Sequence, residues 1–368
     1  MTAQPSAPAR VAVLDGLRGL AVAWVLIYHL HEYVPRLWPG NTAFGASGAV
    51  AHAMGFLWVG VDLFYVLSGF FIGSAVLRPR EWQPLAFIRS RLTRILPAYY
   101  VSMALALLLL NHDLLSNVQG WVNIAMHVLM LHTLQEWTMF AINGPYWTLG
   151  VEFGFYLLML AFAPVWRTRA GWILVLLMLA VCLVWRAALM TGLPHPQRFF
   201  WGAQLPGALD EFALGIAVAL ARERGWLDRL APRAPLWGTA LALLGTLLFL
   251  ACLRHLMRLQ TDYWMHWNTV LFLRTLLGLG FALLIAAFLV LAHGRVLPWL
   301  VRYSGLGWLG AVSYSAYLYH VPVILLMHRT LNSSGFPGWP WIAATVFMIL
   351  AVSYASHRWV EQRWHPNL

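Results

Sequence analysis

The chain has 368 residues, of which 61% are apolar or aromatic and only 10% charged, against about 25% charged in an average soluble protein. This excludes a water-soluble globular domain, a disordered chain and a coiled coil, and it predicts side chains that mostly face lipid. All 24 basic residues are arginine, and with 13 acidic residues they leave a net charge of +11. Lying between apolar runs, these charges orient a membrane protein and form no continuous face for nucleic acid.

Residues 1–10 are polar and proline-containing and predict a disordered tail. The run that follows, Val11–Val34, is long and holds Asp15 and Arg18, so it reads as a first membrane helix and not a cleaved leader. Nine more runs are long enough to cross: Met54–Leu77, Arg91–Leu110, Tyr146–Val165, Gly171–Met190, Ala203–Ala221, Leu236–Leu253, Asn268–Ala292, Ser304–Met327 and Trp339–Trp359. Trp121–Leu134 is shorter and carries Asn123, His127 and His132, which suits a re-entrant or interfacial segment. The expectation is an all-α bundle of about ten spans, one integral-membrane domain over residues 11–368. With both termini cytoplasmic, sixteen arginines fall inside and six, Arg186 among them, outside, while Arg18 and Arg274 lie within runs.

Charge within lipid is costly and marks where function resides. On the first helix Asp15 and Arg18 are three apart and able to pair. Arg18 and His29 are eleven apart, close to three turns, and so share a face about 16 Å apart along the axis. The alternative is a capping pair and an interfacial histidine. In the second run, GVDLFYVLSGF, Asp62, Tyr65 and Gly69 form one stripe with Ser68 beside it. Asp62 needs a basic partner from another helix, and Gly69 with Gly73 allows close helix approach. The densest basic stretch, Arg78 to Tyr100, contains Arg78, Arg80, Arg89, Arg91 and Arg94. Orientation explains part of it; the rest suits a phosphate-bearing ligand, with Arg91 and Arg94 on one helix face. Glu152 lies deep in the fourth run, Asp210 and Glu211 adjoin in the sixth, and Ser313, Tyr317 and His320 share a face in the ninth with Tyr314 beside them. Such a stripe must face a cavity or another helix.

Several patterns carry no chemistry. Gly305, Gly307 and Gly310 spell GxGxxG but follow no strand. His127 and His132, five apart, fall on different helix faces, and no metal site is expected. Cys182 and Cys252 sit in apolar runs and read as packing residues.

Taken in order, LDGLRGLAVAWVLIYH, GVDLFYVLSGF, RSRLTRILPAYY, YWTLGVEFGFY and SYSAYLYHVP resemble the motifs of the acyltransferase family 3 membrane proteins, which include bacterial O-acyltransferases of surface polysaccharides. The likeness spans Leu14 to Glu361. It departs at Phe153, where the family commonly has a second Glu, and at Arg363, where it often has Pro.

The resemblance implies a multi-pass protein of a bacterial inner membrane that moves an acyl group, most often acetyl, from acyl-coenzyme A to a hydroxyl. The acceptor would be a saccharide, a lipid-linked glycan or a small molecule. Arg89, Arg91 and Arg94 would hold the donor's phosphates. Ser68, Tyr314 and His320 would line the path of its arm. His29 would be general base, or an acyl carrier, with Arg18 and Glu152 completing the catalytic set. Asp15, Asp62 and Tyr317 would be structural polar residues. The rival class is a transporter or proton-coupled permease, which also needs intramembrane Asp, Glu and His but neither the Arg18–His29 register nor the arginine cluster.

Overall fold

The computed structural model describes residues 13–45, 47–78, 81–259, 262–331 and 338–364. The proposed tail at residues 1–10 and Arg80 lie outside them. Among the described residues every regular element is helical. Ten helices have fifteen residues or more: α1 (Leu14–Leu37), α2 (Gly60–Leu77), α3 (Pro84–Leu109), α4 (Trp147–Ala161), α5 (Gly171–Gly192), α6 (Leu205–Glu223), α7 (Ala234–Leu259), α8 (Trp267–Leu291), α9 (Ser313–Leu331) and α10 (Trp339–Ser356). Each overlaps one of the ten apolar runs, but α3 starts seven residues before its run, and Ser304–Met327 is broken, with a separate short helix over Leu306–Ala311 preceding α9.

Among the described residues, six helical stretches are both long and apolar enough to cross a membrane, and a seventh is gained if His195–Gly202 and α6, bent by 44°, count as one span. The helices outside the six have identifiable shortfalls. α4 has only 15 residues. α1 carries Asp15, Arg18, His29, His31 and Glu32, α6 carries Asp210 and Glu211, and α9 carries Ser313, Ser315, three tyrosine or histidine side chains of the expected stripe, and Pro322. These four helices hold Asp15, Arg18, His29, Glu152, Asp210, Glu211 and the α9 stripe, whereas Asp62 and Ser68 lie on α2 and Arg89, Arg91 and Arg94 on α3, which are among the six.

Trp121–Leu134 forms no single helix. A helix over Val118–Val128, capped by Asn117 accepting from the Gly120 amide at 2.7 Å, is only 11 residues long. That is about 17 Å, roughly half the hydrocarbon thickness. Met130 then takes a left-handed φ of 58°, and a short turn covers His132–Leu134.

The chain packs as two compact units. The first comprises Met1–Ala21, Val59–Pro84 and Gly154–Gly310. Its centre is α6 against α2, where a Cβ on Gly69 would overlap the Phe212 carbonyl and one on Gly215 the Val66 carbonyl. Glycine at both positions lets the two backbones touch, as the Gly69 stripe anticipates. Phe212 fills the space beside them, 4.1 Å from Phe155 and 4.8 Å from Tyr65 between ring centroids. The second unit comprises Val22–Trp58, Leu85–Phe153 and Ala311–Leu368. There α9 packs on α10, and Trp38 meets Trp341 edge to face at 4.8 Å.

Candidate active site

In the second unit two histidines from distant helices meet. His29 Nδ1 lies 2.9 Å from the Val25 carbonyl, one turn back on α1, and 3.2 Å from Nε2 of His320 on α9. His320 is fully buried, and its Nδ1 lies 2.8 Å from the Tyr317 carbonyl and 3.2 Å from that of Ala316. A carbonyl can only accept, so His320 carries its proton on Nδ1 and offers a lone pair at Nε2. By the same reasoning His29 carries its proton on Nδ1, shared between the Val25 carbonyl and His320. Its Nε2 is therefore a lone pair, and this nitrogen has no hydrogen-bond partner among the described residues. A half-buried imidazole held in this tautomer is equipped to take a proton. The pairing of His29 with His320 was not foreseen from the sequence, although both residues were singled out.

The α9 turn that carries His320 is anchored from three directions. The Tyr317 hydroxyl donates to the Pro145 carbonyl at 2.9 Å and lies 2.8 Å from Thr148 Oγ1, at the start of α4. The Leu318 carbonyl accepts from Asn143 Nδ2 at 3.0 Å and from Ser102 Oγ of α3 at 3.3 Å. The Tyr317 hydroxyl thereby ties α9 to the start of α4. Glu152 is half-buried one turn beyond Thr148, whose Oγ1 meets the Tyr317 hydroxyl. Asn143 and Ser102 carry no charge and lie outside the five motifs, so the sequence does not mark them as donors to α9.

The same α9 joins this centre to the arginine cluster. The Tyr314 hydroxyl donates to the Ile95 carbonyl at 2.8 Å, next to Arg94 on α3. Tyr314 and His320 are six residues apart, about 9 Å along the helix. α3 and α9 run in the same sense, since Ile95 and Ser102 meet Tyr314 and Leu318 in that order. Arg91 and Arg94 are half-buried and Arg89 is exposed. Arg91 Nε bonds Ser90 Oγ at 3.2 Å, and its guanidinium lies 6.0 Å from the Phe87 ring centre. The Arg89 and Arg94 guanidinium groups have no carboxylate partner among the described residues. On the other side of Tyr314, Ser315 donates to buried Glu361, which also lies 3.3 Å from His357 Nδ1, and Ser315 Oγ is 2.9 Å from Ser356 Oγ.

His127 and His132 depart from expectation. Their rings stack at 4.3 Å with 9° between planes. The spacing rule assumed one continuous helix, but the left-handed Met130 folds the chain back and lays one ring on the other. Both are buried. Burial first, and the neighbouring His132 second, push the His127 imidazole down to about 3, against the opposing backbone bond to Asn123.

In the first unit, Arg18 pairs with Asp15 at 3.2 Å, as expected, and lies 4.1 Å over the Phe71 ring. Ser68 is half-buried on α2. The partner that Asp62 requires is Arg274 of α8, whose Nε lies 2.7 Å from Asp62 Oδ1 and 2.9 Å from Glu211 Oε1. Arg186 is no orientation charge, contrary to its place in the arginine tally. It is buried in α5 and grips Asp210 with both terminal nitrogens, at 2.8 and 2.9 Å, while Thr275 bonds the same carboxylate at 2.5 Å. Cys182 and Cys252 are buried free thiols.

A family model described as an acyltransferase domain matches residues 11–358. The chain belongs to that family and is an acyltransferase by class. Among its relatives is peptidoglycan O-acetyltransferase OatA of Listeria monocytogenes, 26% identical over 97% of this chain and 56% of the relative. Another, provisionally named a membrane-bound transacylase, is BcsY of Komagataeibacter xylinus, 26% identical over 95% of this chain and 81% of the relative. A third, provisionally named a peptidoglycan O-acetyltransferase, is YrhL of Bacillus subtilis, 26% identical over 90% of this chain and 55% of the relative. The chain thus spans little more than half the length of two of these three. No solved structure matches it.

Proposed function

We propose that the protein is an integral-membrane O-acyltransferase that moves an acyl group, acetyl first among candidates, from acyl-coenzyme A to a hydroxyl of a saccharide or glycolipid. The observation that carries this reading is the His29–His320 pair, which leaves one basic nitrogen of His29 open. The acceptor hydroxyl gives its proton to His29 Nε2 while its oxygen attacks the thioester carbonyl carbon. The carbon–sulfur bond then breaks, and the departing thiolate takes the proton from the imidazolium, so the enzyme returns to its starting state. Arg18 never deprotonates and serves by stabilising charge. Glu152, beside Tyr317, is a second polar group near the reacting centre.

The donor's phosphates bind Arg94, Arg91 and Arg89. Support comes from the guanidinium groups of Arg89 and Arg94, which have no carboxylate partner among the described residues, and from the bidentate geometry that arginine brings to phosphate. Tyr314, bonded next to Arg94, and His320 lie along α9 between this cluster and His29, so the thioester arm follows that helix. The saccharide acceptor is suggested by the name of the Listeria relative.

The arginine distribution favours ten spans with both termini cytoplasmic, in a bacterial inner membrane. The donor then binds at the cytoplasmic side and the acceptor hydroxyl reaches His29 from the other, so the acyl group crosses without its carrier. A charged nucleotide entering the bundle would pay a heavy desolvation cost. Release of coenzyme A thiol by purified protein, dependent on a hydroxylated acceptor and lost in His29→Ala, tests the reading. Acceptor acylation without thiol release would assign another donor.

A further inference from the structure

We infer that Asn143 and Ser102 are positioning residues for acyl transfer, holding the His320 turn of α9 by satisfying a carbonyl that Pro322 leaves without a helical partner. The inference rests on the reading of His29 as the base.

In an α-helix each carbonyl accepts from the amide four residues on. Pro322 lies inside α9 and has no amide proton. The carbonyl four residues earlier is that of Leu318, whose residue is fully buried. A buried carbonyl with no donor is costly, and here it receives two. Asn143 Nδ2 donates at 3.0 Å and Ser102 Oγ at 3.3 Å. Ser102 is itself 2.6 Å from the Tyr146 hydroxyl. With Tyr146 donating to Ser102, the Ser102 proton is directed at Leu318. A serine in mid-helix commonly bonds back to its own helix; this one reaches across to α9 instead.

The placement of this carbonyl makes the bonds functional. Leu318 sits between Tyr317, whose carbonyl holds His320 Nδ1, and His320 itself. If the turn rotates to bring the Leu318 carbonyl to another donor, His320 Nε2 leaves its 3.2 Å contact with His29 Nδ1. His29 then loses the partner that fixes its proton and aims Nε2. The effect belongs to the chemical step, since neither Asn143 nor Ser102 lies in the arginine cluster.

The test is a double-mutant cycle on the full-length protein, with kcat and donor KM read by acetyl-coenzyme A turnover on a saccharide acceptor. Asn143→Ala should lower kcat by about tenfold and leave donor KM within about twofold. Pro322→Ala restores an amide for the Leu318 carbonyl, so in that background the Asn143→Ala loss should shrink to about twofold or less. If Asn143→Ala does not accumulate in the membrane, Ser102→Ala in the same two backgrounds asks the same question. Equal losses in both backgrounds, with His29→Ala inactive, would overturn the positioning role and leave the base intact. Full activity of His29→Ala would overturn both.

Discussion

His29 Nδ1 lies 3.2 Å from His320 Nε2, and this one contact decides which nitrogen of His29 is left to act. The proton on His320 Nδ1 is tied to the Tyr317 carbonyl, so His320 can only accept from His29. His320→Ala removes the acceptor but leaves His29 and its Val25 bond in place. It should lower kcat by about tenfold, well short of the 100-fold or greater loss expected for His29→Ala when a general base is removed. Steady-state kinetics of the two variants against wild type checks this. Equal losses would mean that His320 itself touches the reacting atoms, and an unimpaired His320→Ala would leave the tautomer without a catalytic role.

Arg91 and Arg94 share a face beside the Tyr314–Ile95 contact. Arg94→Ala should weaken coenzyme A binding by roughly 1.5–3 kcal/mol, the value of a charge-assisted hydrogen bond, and Arg91→Ala should act in the same direction. Calorimetry at rising salt should show wild-type affinity falling, because half-exposed charges are screened. Unchanged affinity in both variants would return the cluster to membrane orientation alone.

The buried ion pairs of the first unit predict stability effects. Arg186→Leu strands the Asp210 carboxylate, which is fully buried, and should cost about 3–5 kcal/mol. Pairing it with Asp210→Leu should recover most of the loss, because removing both charges also removes their desolvation cost. Thermal unfolding of the detergent-solubilised protein compares the variants. A single variant as stable as wild type would contradict the burial of the pair.

The stacked His127 and His132 predict a pH dependence of the segment around Val118–Met139. An unfolded histidine titrates near pH 6.5, whereas His127 refuses a proton until about 3. Between those values the unfolded chain binds a proton that the folded chain does not. Stability is therefore complete above about 6.5 and falls as the pH drops toward 3. Burial lowers His132 as well, so amide-exchange protection in this segment, corrected for intrinsic rates, should decline by at most about tenfold per pH unit for each of the two imidazoles. His127→Phe should flatten the decline. A decline of the same slope in that variant would assign it to other groups.

Much of the fold is visible in the sequence because lipid enforces long apolar runs, and each of the ten runs overlaps a long helix, although Ser304–Met327 is broken before Ser313. Partners are less visible. Asp62 announces its need for a cation, but periodicity gives a face and not the identity of Arg274, which lies 212 residues away. Arg186 reads as an end-of-helix charge until its grip on Asp210 is seen. The His127–His132 stack was missed because one left-handed residue, Met130, voids the helical spacing. For Asn143 and Ser102 a signal existed. Pro322, two residues after His320, implies an unpartnered carbonyl at Leu318, although nothing in the sequence says which side chains supply the donors.

Sidedness of the chain is checked by reporter fusions. One placed after Leu134 should read outside and one after Leu368 inside. An inside signal after Leu134 would require a crossing within a segment whose helix is only 11 residues long.

The central claim is that an acyl group passes from a cytoplasmic thioester to a hydroxyl through His29. Vesicles of known orientation, given acyl-labelled acetyl-coenzyme A only on the cytoplasmic side and a saccharide acceptor only on the other, test it most directly. The predicted result is labelled acceptor on the far side and free coenzyme A thiol on the donor side, with both lost in His29→Ala. Acylation that occurs only when acceptor and donor share a side, or that persists in His29→Ala, would contradict it.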